Sequence, residues 1–285
     1  MKWFSVFKKR YLVYSVVGAY VLFCQSCMTM RMSKKETKTF FDTHKVTYVD
    51  STLIYPDHDI HYIQTGQSQN PTLFFVHGSP GSWDAYKDYM VDTLLTHKYR
   101  MIAVDRPGFG YSDYRSAQNL QVQAQWLSIF IKQLNNGQPI SLVGHSMGGP
   151  VVVKLATLDP EAYDNLVILS GALDPKVEKP EKWRKIFMAF PLKYLVPGAL
   201  RPSNDELWWL KEDLKTLAPE LPRITAKVTI IHGTKDPLVP YENMAYMQKE
   251  FINAKSMDTI SIKDANHFIP WTYYERIRND LLKLK

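Results

Sequence analysis

From about residue 41 to the C-terminus, short β-branched and aromatic runs alternate with amphipathic stretches. This is the rhythm of a mostly parallel sheet wrapped by helices. The pattern predicts eight strands, at 45–50, 59–64, 72–76, 100–104, 140–143, 166–169, 228–231 and 257–262. Leu73-Phe74-Phe75-Val76, Ile102-Ala103-Val104 and Val167-Ile168-Leu169 are continuously apolar, as strands covered on both faces require. The first two strands are separated by turn residues around Pro56-Asp57, which predicts an antiparallel hairpin. Helical spacing marks 83–97, 117–134, 147–158, 242–253 and 271–284. There are no internal repeats.

One interval breaks the rhythm. Almost sixty residues separate the sixth and seventh strands, where a simple crossover needs far fewer. The stretch at about 173–222 carries Trp183, Phe187, Phe190, Tyr194, Trp208 and Trp209, punctuated by Pro180, Pro191, Pro197 and Pro202. It reads as a helical lid inserted after strand 6, with its aromatic residues divided between gluing it to the main domain and lining a pocket.

The N-terminus has a different grammar. A basic stretch ending in Lys8-Lys9-Arg10 precedes an apolar run of thirteen residues, 11–23, and residues 1–26 contain no Asp or Glu. Thirteen is short of the roughly 20 apolar residues a membrane-spanning helix needs, and suits the core of an export signal. Phe23-Cys24-Gln25-Ser26-Cys27 follows. A small residue before a cysteine at this place resembles the lipobox of bacterial lipoproteins, with Cys27 as the lipid-bearing residue and Cys24 where that motif usually has leucine. An uncleaved signal-anchor and plain secretion are the alternatives. The segment 1–27 is thus expected to direct export and membrane association, as in a cell-envelope lipoprotein. Residues 28–40, rich in Lys and Thr, read as a polar tether to a domain at 41–285.

Composition adds exclusions. The chain has 285 residues, of which 45% are hydrophobic and 22% charged, ordinary for a globular protein. Its formal charge is +7, but Lys2, Lys8, Lys9 and Arg10 supply four of that, leaving a nearly balanced body. No later basic stripe interleaves with aromatics, so nucleic acid is not an expected partner. Both cysteines lie in the N-terminal segment, so the body has neither a disulfide nor a thiol nucleophile.

The chemistry is carried by Gly144-His145-Ser146-Met147-Gly148-Gly149, which follows the fifth predicted strand and opens a helix. In that context G-x-S-x-G is a nucleophile elbow: a serine on a sharp strand-to-helix turn, with glycines two positions away on either side to avoid collision. Such a serine needs a base and an acid to orient the base. Among eight histidines, His267 follows the last strand in Asp264-Ala265-Asn266-His267-Phe268 and so emerges at the same sheet edge as Ser146. His145, beside the serine, is assigned to packing. Gly233-Thr234-Lys235-Asp236-Pro237 follows the seventh strand and supplies Asp236 as the acid, with Asp174 as the alternative.

With His77-Gly78-Ser79-Pro80-Gly81 and Asp105-Arg106-Pro107-Gly108-Phe109-Gly110, these segments make five motifs in order. Over about residues 45–284 the chain resembles the α/β-hydrolases, in particular the cap-bearing esterase and lipase-like group. The resemblance implies an α/β-hydrolase fold and an oxyanion hole made by the backbone N–H groups of Ser79 and Met147. The loop at 105–110 is implied to be structural. Serine at 146 sets the chain apart from the dehalogenases and epoxide hydrolases of this fold, which use aspartate. The expected activity is hydrolysis of an apolar, small-molecule carboxylic ester through an acyl-enzyme, with no cofactor or metal. Amidase, peptidase, carbon–carbon hydrolase and acyltransferase chemistry stay open, as does a ligand-binding protein that keeps the triad with little turnover.

Overall fold

The computed structural model describes residues 2–113 and 116–284. Eight strands form one sheet in the order β1-β2-β4-β3-β5-β6-β7-β8. They are β1 (Tyr48–Ile54), β2 (Asp59–Gly66), β3 (Thr72–Val76), β4 (Arg100–Val104), β5 (Ile140–His145), β6 (Asn165–Leu169), β7 (Lys227–Gly233) and β8 (Ser256–Ile262). β1 and β2 pair antiparallel, as does β2 with β4, and every other neighbour is parallel. This is the α/β-hydrolase fold: eight strands, mostly parallel, flanked by helices.

The helices are α1 (Lys2–Ser26), α2 (Lys34–His44), α3 (Lys87–Met90), α4 (Thr93–Lys98), α5 (Leu120–Gln133), α6 (Gly148–Leu158), α7 (Arg184–Met188), α8 (Leu200–Leu217), α9 (Glu242–Glu250), α10 (Ile269–Thr272) and α11 (Tyr274–Leu281). One face of the sheet packs on α5, α6, α8 and α9 through Phe130, Val152, Leu155, Leu214 and Met247. The other packs on α2, α3, α4 and α11 through Phe41, Tyr89, Leu95 and Ile277. β3, β4, β5 and β6 are buried at every position, which explains the apolar runs of β3, β4 and β6.

Several expectations shift for local reasons. The first strand begins at Tyr48 rather than 45, because Lys45 adopts a left-handed conformation (φ 56°) that closes α2. The stretch read as a polar tether is instead partly folded onto the domain. Ser33 and Glu36 form a reciprocal capping box that starts α2, and α2 buries Thr37 and Phe41. Phe41 stacks on Tyr48 and Trp83, with ring centroids 4.2 and 5.8 Å apart. The Lys- and Thr-rich positions are the solvent side of a helix whose apolar side is short. The helix expected at 83–97 is broken, since Asp92 accepts from the N–H groups of Leu94 and Leu95 and starts α4 afresh. The C-terminal helix likewise divides at Tyr273 into α10 and α11.

Between β6 and β7 lie α7, a short 3₁₀ turn (Leu192–Leu195), α8 and a second 3₁₀ turn (Ala218–Arg223). These helical segments occupy the long interval between the two strands. Among the described residues, no helix is long and apolar enough to cross a membrane.

Candidate active site

The chain reverses direction across the sheet between β3 and β5: β4 lies on one side of β3 and β5 on the other. The crevice beyond the carboxyl ends of such a pair is where ligands bind in open α/β sheets. The loop 77–81 leaves β3 there, and Ser146 leaves β5 beside it.

Ser146 sits at φ 54°, in the left-handed region that residues other than glycine seldom adopt. The turn can close this tightly because the positions two residues away on either side, Gly144 and Gly148, have no side chains. A Cβ at Gly144 would lie 2.3 Å from the carbonyl oxygen of Gly148, and one at Gly148 would lie 2.1 Å from that of Val76. The turn is fastened by Ser146 N–H donating to Leu169 O (3.0 Å) and Gly149 N–H donating to Ser146 O (2.9 Å). α6 begins at Gly148 and presents its N-terminal end to this spot.

Three residues beyond β7, the Asp236 carboxylate accepts from His267 Nδ1 at 2.7 Å through Oδ2, and from the N–H groups of Leu238 and Val239 at 2.9 Å through Oδ1. Burial alone would raise the pKa of this carboxyl. The bonds from His267, Val239 and Leu238 outweigh it and hold the group below its ordinary value, so it stays ionised. An ionised carboxylate at Nδ1 keeps the proton on that nitrogen and leaves Nε2 free to accept one.

Asp174 is elsewhere. Its carboxylate accepts from the N–H of Lys176, and its backbone N–H donates to the Asn243 side chain. The acid paired with His267 is Asp236. Ser79, Ser146, Met147 and His267 line one cavity of about 590 Å³. Among the described residues, the N–H groups of Ser79 and Met147 make no hydrogen bond within the chain. A Cβ placed on Gly78 would come within 3.1 Å of Ser146 Cβ, so the 77–81 loop lies against the Ser146 turn.

Two residues matter more here than the sequence suggested. His145 is not merely packed: its Nε2 donates to the carbonyl oxygen of His267 at 3.0 Å, and the two rings are 4.8 Å apart. Desolvation, helped by nearby His267, pushes its pKa down to about 3, so His145 is neutral and fixes the backbone that carries His267. Its position beside the serine was the only signal. Arg106, in the loop read as structural, is fully buried. It donates to His77 O (2.9 Å) and Gly78 O (3.0 Å), and pairs in a fork with Glu206 of α8 at 2.7 and 2.9 Å. His77 Nε2 accepts from the Arg106 N–H at 3.0 Å, and its Nδ1 donates to Gly78 O at 2.7 Å. Ser79 Oγ also donates to Ser203 of α8 at 2.8 Å. The insertion is thus bolted to the 77–81 loop, which no motif revealed because Glu206 lies 100 residues from Arg106.

Removing one partner of a buried pair leaves the other charge uncompensated, at a cost of about 3–5 kcal/mol. Glu206→Gln is therefore expected to lower the urea midpoint strongly and to weaken turnover by displacing Gly78. The double change Arg106→Met with Glu206→Leu should recover most of the stability but not the turnover. Equal stability of wild type and Glu206→Gln would mean the pair is not what fastens the insertion.

The buried histidines set a pH dependence. Desolvation is the main cause lowering the pKa of His77, His145 and His232, so all three are neutral when folded. Unfolded, each titrates near 6.5. Between those values the unfolded chain binds more protons, so stability is full above about pH 6.5 and is lost as pH falls, by up to about 1.4 kcal/mol per pH unit for each histidine. His145→Gln keeps a donor for His267 O but does not titrate. Its urea midpoint should fall less steeply than wild type between pH 7 and 5; parallel curves would show that folding does not lower the pKa of His145.

The geometry defines an α/β-hydrolase fold with a serine elbow and an Asp–His pair at one sheet edge. The α/β-hydrolase fold family model matches residues 71–195, from β3 into the insertion. A Haemophilus influenzae protein named as an esterase/lipase is 30% identical over 131 residues, 46% of this chain and 43% of that protein. A 2-hydroxy-6-oxononadienedioate/2-hydroxy-6-oxononatrienedioate hydrolase of Burkholderia vietnamiensis is 36% identical over 117 residues, 39% of this chain and 40% of that one. The chain thus spans less than half the length of these relatives. A solved membrane phospholipase A, described as a bacterial virulence factor, aligns over the whole of both chains with a TM-score of 0.62 at 19% identity.

Proposed function

We propose that this protein is a serine hydrolase that cleaves carboxylic esters through an acyl-enzyme. The observation that carries the reading is the 2.7 Å bond that joins His267, in the wall of the cavity that Ser146 also lines, to the buried, ionised carboxylate of Asp236 behind it. In this mechanism His267 Nε2 takes the Ser146 proton as Oγ attacks the carbonyl carbon. The N–H groups of Ser79 and Met147 bind the oxyanion, and the imidazolium then protonates the leaving alcohol. Water, activated by the same imidazole, releases the acid and restores the serine.

The cavity shapes the substrate. Leu207, Leu210, Leu238, Phe268 and Trp271 give it an apolar wall, and Glu181 and Arg184 of the insertion make a charged stretch of its lining. That suits an ester with an apolar acyl chain and a polar remainder. The insertion's aromatic residues, expected to contribute to the pocket, are not what lines it: Trp183, Phe190 and Tyr194 are exposed. The second reading is carbon–carbon bond hydrolysis, favoured by the 36% identity to the Burkholderia vietnamiensis enzyme. A fluorophosphonate probe followed by peptide mass analysis tests the nucleophile, and turnover of a graded series of acyl esters against a vinylogous keto acid tests the bond. Labelling away from Ser146, or turnover of the keto acid alone, would sink the ester reading.

The N-terminus belongs to the same proposal: it fixes the exported protein to a membrane of the cell envelope, through lipid on Cys27 or through retained α1. Intact mass of membrane-extracted protein decides between them. A start at Cys27 with added acyl mass supports the lipid, and a start at Met1 supports the helix. A soluble product lacking residues 1–27 sinks both.

A further inference from the structure

Resting on that membrane attachment, we propose that the segment 179–194 of the insertion is a second, lipid-facing contact. It seats on an anionic bilayer surface and brings the cavity mouth to ester substrates held in that bilayer.

The first observation is the state of α1. Every residue from Lys9 to Tyr20 is exposed, and 11–23 contains no charged residue. Tyr11, Leu12 and Tyr14 are each more than 60% exposed. A helix that is apolar on all sides needs an apolar surrounding on all sides. Among the described residues the rest of the protein covers little of this run, and lipid would cover it. The run is about 20 Å long at 1.5 Å per residue, enough to sit within a bilayer without crossing its roughly 30 Å core.

The second observation is where α1 is rooted. Tyr20 Oη and Cys24 Sγ donate to Leu195 O at 3.2 and 3.3 Å, and Gly198 N–H donates to Cys24 O at 2.9 Å. Ala199 N–H donates to Met28 O at 2.9 Å. Gly198 permits this approach: at φ 45°, a Cβ there would lie 2.2 Å from Met28 O and 2.4 Å from Cys27 O. Whether α1 or a lipid on Cys27 enters the bilayer, the bilayer surface must lie beside the 192–198 turn.

The third observation is what the insertion exposes next to that turn. Phe190 is 79% exposed, Ile186 56% and Trp183 48%. Lys182 and Lys185 are exposed among them, with Arg184 over the Trp183 ring at 4.7 Å. Exposed aromatics interleaved with cations are the composition of an interfacial lipid contact. An anionic surface attracts each nearby lysine by about 1 kcal/mol, close to fivefold in binding. Lys179, Pro180, Glu181 and Arg184 of the same segment also line the cavity of Ser146, so the contact adjoins the pocket mouth. Facing lipid explains why these aromatics point away from the pocket.

The test uses the full chain with vesicles of phosphatidylcholine and phosphatidylglycerol whose acyl chains are brominated. Trp183 fluorescence, obtained as the difference between wild type and Trp183→Phe, should fall about twofold or more relative to unbrominated vesicles, as expected for a ring within the acyl boundary. Ile186→Glu with Phe190→Glu should abolish that quenching. It should leave kcat/KM on a water-soluble short ester unchanged and slow hydrolysis of a vesicle-borne long-chain ester by about tenfold, since two interfacial side chains are lost. Vesicle-bound protein whose Trp183 is unquenched overturns the proposal, as does equal slowing of both substrates. Protein that fails to bind vesicles overturns the attachment reading and this one with it. Absent turnover of the short ester by wild type sinks the ester reading alone, since the quenching does not depend on it.

Discussion

Replacing Ser146 with alanine is expected to lower kcat on a short activated ester by on the order of 10⁶, the size of loss known for a triad serine. The fold should not suffer. Alanine meets the same strain at φ 54° as serine, and the bonds that fasten the turn are made by backbone atoms. Unfolding by urea should therefore superpose on wild type while labelling by the fluorophosphonate disappears. Substrate binding should persist, because the cavity wall is unchanged. Retention of more than about a tenth of the activity, against the loss expected of a nucleophile, would remove Ser146 from that role.

The second large effect is on the acid. Asp236→Asn is expected to cost about 10⁴ in kcat, by analogy with loss of the triad carboxylate in a serine protease. The physical reason is tautomeric. The carboxylate accepts from His267 Nδ1 and from two backbone N–H groups, and an amide oxygen turned to the N–H groups would aim its NH₂ at Nδ1. The imidazole would then carry its proton on Nε2, where the serine proton must go. Asp174→Asn should have little effect, since that carboxylate caps its own turn at Lys176. Reversal of the two results would move the orienting role to Asp174. A large loss from both would instead indicate damage through Asn243, which holds the Asp174 backbone from α9.

The sheet and its serine were legible because both are written locally. A strand buried on two faces must be apolar at consecutive positions, and β3, β4 and β6 are. An elbow needs glycines at fixed spacing, and Gly144 and Gly148 stand there because backbone atoms fill the space a side chain would take. His267 and Asp236 were found through their placement just beyond strands that end at one edge, a consequence of parallel order. Element ends were less legible. Caps such as Asp92 and the left-handed Lys45 decide them through single bonds that compete with a continuing pattern.

By itself, then, the sequence determined the alternation of strand and helix, the long interval after the sixth strand, and the sharp serine turn after the fifth with the histidine and carboxylates that stand as its candidate partners. Tertiary structure alone decided which carboxylate meets His267, because Asp174 and Asp236 both follow strands and only loop geometry turns one toward it. It alone joined Arg106 to Glu206 and made His145 a brace for His267, since charges and rings distant in the chain carry no local signature of their partner. It also turned Trp183 and Phe190 outward. An aromatic residue in a helical insertion satisfies the same pattern whether it faces pocket, core or lipid, and only the packing of the whole chain distinguishes them.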